Sequence, residues 1–227
     1  MLCHLSLNKR YPCLSAQEIK ALSESIGCDI IEDGETYVLS CRSCDELGRV
    51  ALAHPLEVKR MARATLPARG TITMDSLIAR ALVNIARVGP LKRVLEPFVG
   101  TGAIAHEAER LGAYVVGLDI DLRSLRLATK NTSADLIQAD ARLPPLRRAF
   151  DAAVGDAPYG RMSIAEVEIK KLLYTVLEQL SELVRGYVVV ALPIYFDVPY
   201  VPSCLMYVHG GLYRAIAIVP QSGGGPS

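Results

Sequence analysis

No stretch of this 227-residue chain holds about 18 consecutive apolar residues, the least that crosses a bilayer as a helix, so a membrane-spanning role is excluded. The first residues, MLCHLSLNKRYPC, lack the basic-then-apolar build of a secretion signal, which predicts a cytoplasmic address. No internal repeat is present, so solenoid and array architectures fall away. Net charge is only +1, which alone argues neither for nor against a polyanionic partner. Asparagine and glutamine together number 7, and arginine outnumbers lysine 18 to 7. Both biases fit a protein made at high temperature.

A second CxxC is missing too. Cys3, Cys13, Cys28, Cys41 and Cys44 crowd into the first 44 residues, but only Cys41 and Cys44 are spaced as a ligand pair. A structural zinc site needs two such pairs, or one pair with well-spaced histidines, and His4 and His54 do not supply them. No metal is expected. Buried free thiols are the simplest account of these cysteines, with disulfides as the alternative in a hyperthermophilic source.

What is present is apolar bulk, 51% of residues, enough to bury a proper core. Charge is unevenly spread. Residues 1–53 carry 5 basic and 8 acidic side chains, residues 54–93 carry 8 and 2, and residues 94–227 carry 12 and 14. Lys59, Arg60, Arg63 and Arg69 lie in the basic stretch and are candidates for gripping a phosphate backbone. A solvated linker and helix face is the alternative.

Residues 1–68 are expected to form a small unit, 69–220 a larger one, and 221–227 a disordered tail. In the first, an apolar strand at 2–7 precedes a helix over 15–26, with Ser15 as its cap and Glu18 as the capping-box partner. Strands at 28–32 and 36–40 flank an Asp33-Gly34 turn, and 43–53 is read as a second helix. That order suggests a small ferredoxin-like α+β domain. In the larger unit, helices at 74–86, 103–111, 124–131 and 163–184 alternate with strands at 93–96, 114–119, 136–139, 152–155 and 187–192. Alternation of this kind makes an α/β, Rossmann-like parallel sheet wound on both faces. Apolar runs at 205–209 and 212–219, joined by Gly210-Gly211, add an antiparallel terminal strand.

The first strand of that sheet runs into Glu96-Pro97-Phe98-Val99-Gly100-Thr101-Gly102 and then a helix. Glycines suit a turn that a nucleotide-like ligand approaches closely. Asp119 ends the second strand, where a ribose would be gripped, and Asp140 ends the third, facing an adenine amine. Gly100–Ala105 also satisfies a loose dinucleotide pattern. A carboxylate at 96 repels a pyrophosphate but suits a ligand bearing an ammonium and a sulfonium. S-adenosylmethionine is therefore the expected cofactor, held by Glu96, Pro97, Phe98, Gly100, Thr101, Gly102, Asp119, Ile120, Asp140 and Ala141.

The fourth strand leads into Asp156-Ala157-Pro158-Tyr159-Gly160. This resembles the (Asp/Asn/Ser)-Pro-Pro-(Tyr/Phe) signature of amino methyltransferases that act on nitrogen in a planar system. In chain order the segment 71–219 is similar to the tRNA guanosine-10 N2-methyltransferase family, a class I S-adenosylmethionine-dependent methyltransferase. The resemblance implies catalytic roles for Asp156, Ala157, Pro158 and Tyr159, and a cofactor contact for Thr73, with Thr71 beside it. It implies methyl transfer to N2 of a guanosine in tRNA. Adenine-N6 and glutamine-N5 transfer remain alternatives, as does a non-catalytic RNA- or partner-binding subunit. Two departures stand out. Ala157 replaces a proline, which predicts a less rigid turn. About 68 residues precede the catalytic unit, too few to include the THUMP RNA-binding domain of such proteins, so either this chain grips tRNA alone or a helper subunit does.

Overall fold

The computed structural model describes residues 1–68, 70, 73–158, 166–193, 203–209 and 212–220. Arg69, Thr71, Tyr159, Tyr195, Phe196, Tyr200, the Gly210-Gly211 turn and the 221–227 tail lie outside the described residues.

In the first unit, β1 (Leu2–Ser6) and β3 (Thr36–Ser40) alternate buried and exposed side chains, as a sheet with one covered face requires. With β2 (Asp29–Glu32) and β4 (His54–Pro55) they form an antiparallel sheet of order β2-β3-β1-β4. This is the strand order of a ferredoxin-like βαββαβ unit. Helix α1 (Pro12–Ile26) covers it. The helix starts earlier than expected, because Pro12 occupies its first turn with φ already set for a helix. Ser15 is therefore no cap. It is buried, and its hydroxyl accepts from the Asn8 N–H at 3.2 Å.

Glu18 forms no capping box either. It is fully buried and accepts from the N–H groups of Ala51, Leu52 and Ala53 at 2.6, 2.9 and 3.4 Å. Those three amides are thereby withdrawn from helical bonding. The expected second helix accordingly shrinks to a 3-10 turn at Asp45–Arg49. Glu18 also accepts from Asn84 of the second unit at 2.7 Å, so one buried carboxylate joins the two. Burial raises its carboxyl above the ordinary range, opposed by the Asn84 and backbone bonds.

The second unit is a seven-stranded sheet of order β10-β11-β9-β8-β5-β6-β7. Its strands are β5 (Arg93–Glu96), β6 (Tyr114–Asp119), β7 (Asp135–Gln138), β8 (Phe150–Asp156), β9 (Val184–Pro193), β10 (Cys204–His209) and β11 (Leu212–Pro220). The five from β5 to β9 run parallel, and β11 enters antiparallel between β9 and β10. Helices α2 (Ser76–Ile85), α3 (Ala103–Arg110) and α4 (Leu122–Ala128) bury Ile78, Leu82, Ile104 and Leu125 in one core. Helix α5 (Glu166–Leu183) buries Leu173, Val176 and Leu180 in a second. Leu14, Ala51 and Leu52 of the first unit join the core of α2 and α3, so the two units share one apolar interior.

The cysteines are not free thiols. Cys3 pairs with Cys44, Cys28 with Cys41, and Cys13 with Cys204. The CxxC pair is thus divided between two bridges, and Cys13–Cys204 ties α1 to β10 across 191 residues of sequence. Alkylation without reductant should label no cysteine. Reduction should lower unfolding free energy by about 2–4 kcal/mol in denaturant titrations, because the open chain gains entropy in the unfolded state. Free thiols in the native protein would contradict these pairings.

Candidate active site

Between β5 and β8 the order of strand addition reverses while the strands stay parallel: β5 is followed outward by β6 and β7, and β8 returns to its other side. Ligands settle at such a switch point, outside the carboxyl ends of the strands. A cavity of about 580 Å³ opens there. Glu96, Pro97, Phe98, Gly100, Thr101, Asp119, Ile120, Asp140 and Ala141 line it, together with Asp156, Ala157 and Pro158 of the fourth-strand turn.

The loop between β5 and α3 needs its glycines for two different reasons. Gly100 has φ +51°, and a Cβ there would meet only the Phe98 carbonyl at 3.9 Å, so its surroundings leave room for a ligand. Gly102 does not line the cavity. It adopts φ +81° to start α3, and a Cβ would press on Thr132 at 3.0 Å. Glycine there serves turn geometry and packing. Asn131 braces the loop from behind, donating to the carbonyls of Thr101 at 2.8 Å and Ala68 at 2.7 Å. Thr73 lies beside Thr101, with the two hydroxyls 3.4 Å apart, and lines a smaller adjoining cavity.

Four carboxylates thus share one opening, and two arginines answer them. Arg142 holds Asp140 at 2.5 Å and, foremost through that hydrogen bond, keeps its carboxyl below the ordinary range. Arg214, reaching from β11, pairs with Asp156 at 3.1 Å. Burial nevertheless pushes the Asp156 carboxyl up to about 6, against the pull of Arg214. Asp119 has no ion-pair partner among the described residues. Its oxygens accept from the backbone N–H groups of Gly100 and Asp121, each at 2.8 Å. Capping of α4 falls to Asp121, which accepts from Arg123 N–H at 2.9 Å.

Glu96 is the most exposed to electrostatic cost. It is buried, takes a bond from the Ala105 backbone, and its Oε2 has no hydrogen-bond partner among the described residues. Burial, with the nearby Asp156, Asp119 and Glu109 charges, drives its carboxyl well above the ordinary range. An orphaned acceptor in a cavity with surplus negative charge fits a cationic ligand. S-adenosylmethionine matches this donor set. Glu96 would face the ammonium, Asp119 the ribose hydroxyls and Asp140 the adenine amine, with Phe98 and Ile120 supplying apolar wall.

Ala157 overturns the expectation of a loosened turn. Its N–H, which a proline would lack, donates to the Ala191 carbonyl at 2.9 Å and extends the β8–β9 ladder past Asp156. Residues that sequence reading missed include Met74, Arg142, Leu172 and Val176 in the cavity wall and Arg214 on Asp156. Nothing local marks them. His106 stands outside the lining and contacts the Asn131 carbonyl at 2.7 Å.

Several cations of the basic stretch are engaged in contacts within the chain, and only Arg80 among those described is buried. Arg60 donates to the carbonyls of Ala51 and Ala53, and Arg63 pairs with Asp75 at 2.5 Å. Arg80 is buried against Glu107, and Arg87 joins Glu24 while lying over the Tyr187 ring. Lys59, Arg63, Lys92 and Arg93 remain exposed. Among the described residues no group of His, Cys, Asp and Glu is arranged to hold a metal, and no helix is long and apolar enough to cross a membrane.

A seven-stranded sheet of this order, with a glycine loop after β5 and acids on successive strand tips, defines the class I methyltransferase fold. The crystal structure of TrmN from Thermus thermophilus shares that fold, with a TM-score of 0.55 at 20% identity over 96% of this chain and 81% of that one. The chain belongs to the RMKL-like methyltransferase domain family, whose model matches residues 63–198. Among curated relatives, the tRNA (guanine(10)-N2)-dimethyltransferase of Methanocaldococcus jannaschii is 34% identical over 157 residues, 62% of this chain and 44% of that protein. The enzyme of that name from Methanothermobacter thermautotrophicus is 38% identical over 108 residues, 45% of this chain and 32% of its own length. The chain therefore spans less than half of these relatives.

Cofactor binding should release a proton. A carboxyl that favours its neutral form gives up its proton when a cation arrives, so affinity should rise with pH while Glu96 titrates. Calorimetry of S-adenosylmethionine binding in buffers of different ionisation heat should register that release. Glu96→Gln should abolish it and weaken binding about tenfold or more. Unchanged affinity in this variant would exclude Glu96 as the ammonium acceptor.

Proposed function

We propose that this chain transfers a methyl group from S-adenosylmethionine to the exocyclic N2 amine of a guanosine in tRNA. The observation that carries the reading is Asp156, a largely shielded carboxylate at the tip of β8 on the wall of the cofactor-sized cavity. Similarity to the tRNA guanine-N2 enzymes supports the choice of substrate.

An exocyclic amine is a poor nucleophile, because its lone pair is drawn into the ring. Acceptors aimed at its hydrogens pull it toward tetrahedral geometry and restore the lone pair. The Asp156 side chain supplies one acceptor, and the main-chain carbonyl of Ala157 the second, with Pro158 stiffening the turn that presents it. When bound, S-adenosylmethionine supplies an electrophilic methyl on a sulfonium. An ionised carboxylate accepts and does not donate. Guanine offers two donors side by side, N1–H and the N2 amine, whereas adenine sets an acceptor next to its amine. Aspartate at this place therefore suits guanine better than adenine. Tyr159, which lies outside the described residues, is the proposed stacking partner of the base, a contact worth about 1–3 kcal/mol. Orientation of amine and methyl supplies the larger share of acceleration, up to ~7–11 kcal/mol. Bringing a base out of folded RNA costs a few kcal/mol.

Grip on the RNA is a separate matter. Either the exposed cations of this chain, Lys59, Arg63, Lys92 and Arg93 among them, hold tRNA or a helper protein does. Filter binding to tRNA across a salt series decides: tight, salt-sensitive retention excludes the need for a helper.

Three outcomes test the chemistry. With tritiated cofactor, label should enter tRNA as N2-methylated guanosine. Label in DNA or protein instead would move the reading to the adenine-N6 or glutamine-N5 alternative, and label nowhere would favour a binding subunit. Asp156→Ala should lower turnover about a hundredfold or more while cofactor affinity stays within about twofold; survival within tenfold would remove Asp156 from its role. Because its carboxyl titrates near 6 and must be ionised to accept, the rate should fall as pH drops through about 6.

A further inference from the structure

The Asp156 carboxylate works as an acceptor only while it is ionised and aimed. Its surroundings oppose the first condition. Its side chain is largely shielded from water at the cavity wall, which favours the neutral form. Left to that shielding, Asp156 would take up a proton, and a neutral carboxyl presents a hydroxyl donor where the amine needs an acceptor.

Arg214 counters this from an unexpected direction. It lies on β11, two strands away from β8, where Asp156 pairs with Ala191 of β9 and Arg214 with Pro193 of β9. Because 191 and 193 fall on one face of β9, the register sets Asp156, Ala191 and Arg214 on the same side of the sheet. Ala191 contributes only a methyl there, which lets the long arginine side chain extend over β9. Its Nη2 stands 3.1 Å from Asp156 Oδ2, and both side chains are largely shielded, at 7% and 19% exposure.

We propose that Arg214 is the positioning residue for the transfer step, clamping the Asp156 carboxylate by its Oδ2 so that it stays charged and oriented toward the target amine. This rests on the methyltransfer reading above. A carboxylate offers about four acceptor sites, so one guanidinium contact does not exhaust it. Among the described residues, the charged group acting on Asp156 is Arg214 from β11; Glu96 on β5, which favours its neutral form, lines the same cavity, and β9 presents Ala191. The antiparallel strand that closes the sheet thereby becomes part of the catalytic apparatus.

The test compares full-length wild type, Arg214→Met and Arg214→Lys, reading transfer rate against pH, cofactor affinity, and the Asp156 carboxyl titration by carbon NMR, assigned against Asp156→Asn. For Arg214→Met, the acid limb and the carboxyl midpoint should both move up by about one pH unit or more. Turnover at neutral pH should drop about tenfold or more, with cofactor affinity and KM for RNA within about twofold. Arg214→Lys, which keeps the charge, should return the midpoint to near that of wild type. An arginine that merely staples strands would alter thermal stability and leave both midpoints where they were. An unmoved midpoint in folded Arg214→Met, or a lysine variant no better than methionine, overturns the proposal. Should Arg214→Met fail to fold, Arg214→Gln takes its place with the same expectations. If wild type methylates no RNA, the functional reading fails by itself; the carboxyl titration then decides the clamp, upheld by an upward shift and overturned by none.

Discussion

Four carboxylates converge on one cavity, two of them answered by an arginine, and the rest of the site is arranged around that imbalance. Parallel strands force it, since every strand tip on that edge points to the same crevice. Each acid is then handled differently. Asp140 and Asp156 receive an arginine apiece, and Asp119 is satisfied by two backbone amides. Glu96 is left with an oxygen that nothing contacts among the described residues. In a shielded cavity such a surplus is relieved either by protons or by a cationic ligand. Cofactor recognition and proton uptake are therefore two answers to one electrostatic problem.

The small N-terminal sheet takes part in that arrangement by holding the helices behind it. Glu18 bonds at once to the 51–53 backbone and to Asn84 on α2, and Arg49 reaches both Asn84 and the Val88 carbonyl. Arg80, buried against Glu107, ties α2 to α3 and fastens the connecting segment through the carbonyls of Met61 and Ala62. Since α3 follows the glycine loop directly, these contacts brace the cavity from outside. Arg80, one of the cations that make 54–93 look like a basic patch, is a means of this bracing. Charge density along a sequence measures how many cations a segment has, not how many remain exposed to a partner.

Disulfide pairing follows the same logic of distance. Cys41 and Cys44 are three residues apart and point to different partners, because β3 and the turn after it bring Cys28 and Cys3 against them. Cys204 meets Cys13 through the packing of α1 against β10. No spacing rule recovers a contact across 191 residues.

Much of the catalytic unit was legible beforehand. Strands β5 and β6 lie at the residues their patterns indicate, and the glycine loop, Asp119, Asp140 and the Asp156 turn line one cavity as their chain order implies. Periodicity, turn residues and strand-end acids are written within a few neighbours of each other, so the sequence alone determined them. Local signals misled where a distant group claimed the same atoms: Glu18 looked like a cap until its carboxylate was needed by three amides thirty-odd residues on, which also unmade the helix read at 43–53. Tertiary structure alone decided that Ala157 gains a ladder bond, that Arg80 of the basic run is buried against Glu107, that cysteines cross-link, and that Arg214 meets Asp156. Each of these depends on strand register and packing between segments far apart in the chain, and a low-dielectric interior makes such meetings strong enough to override local preference.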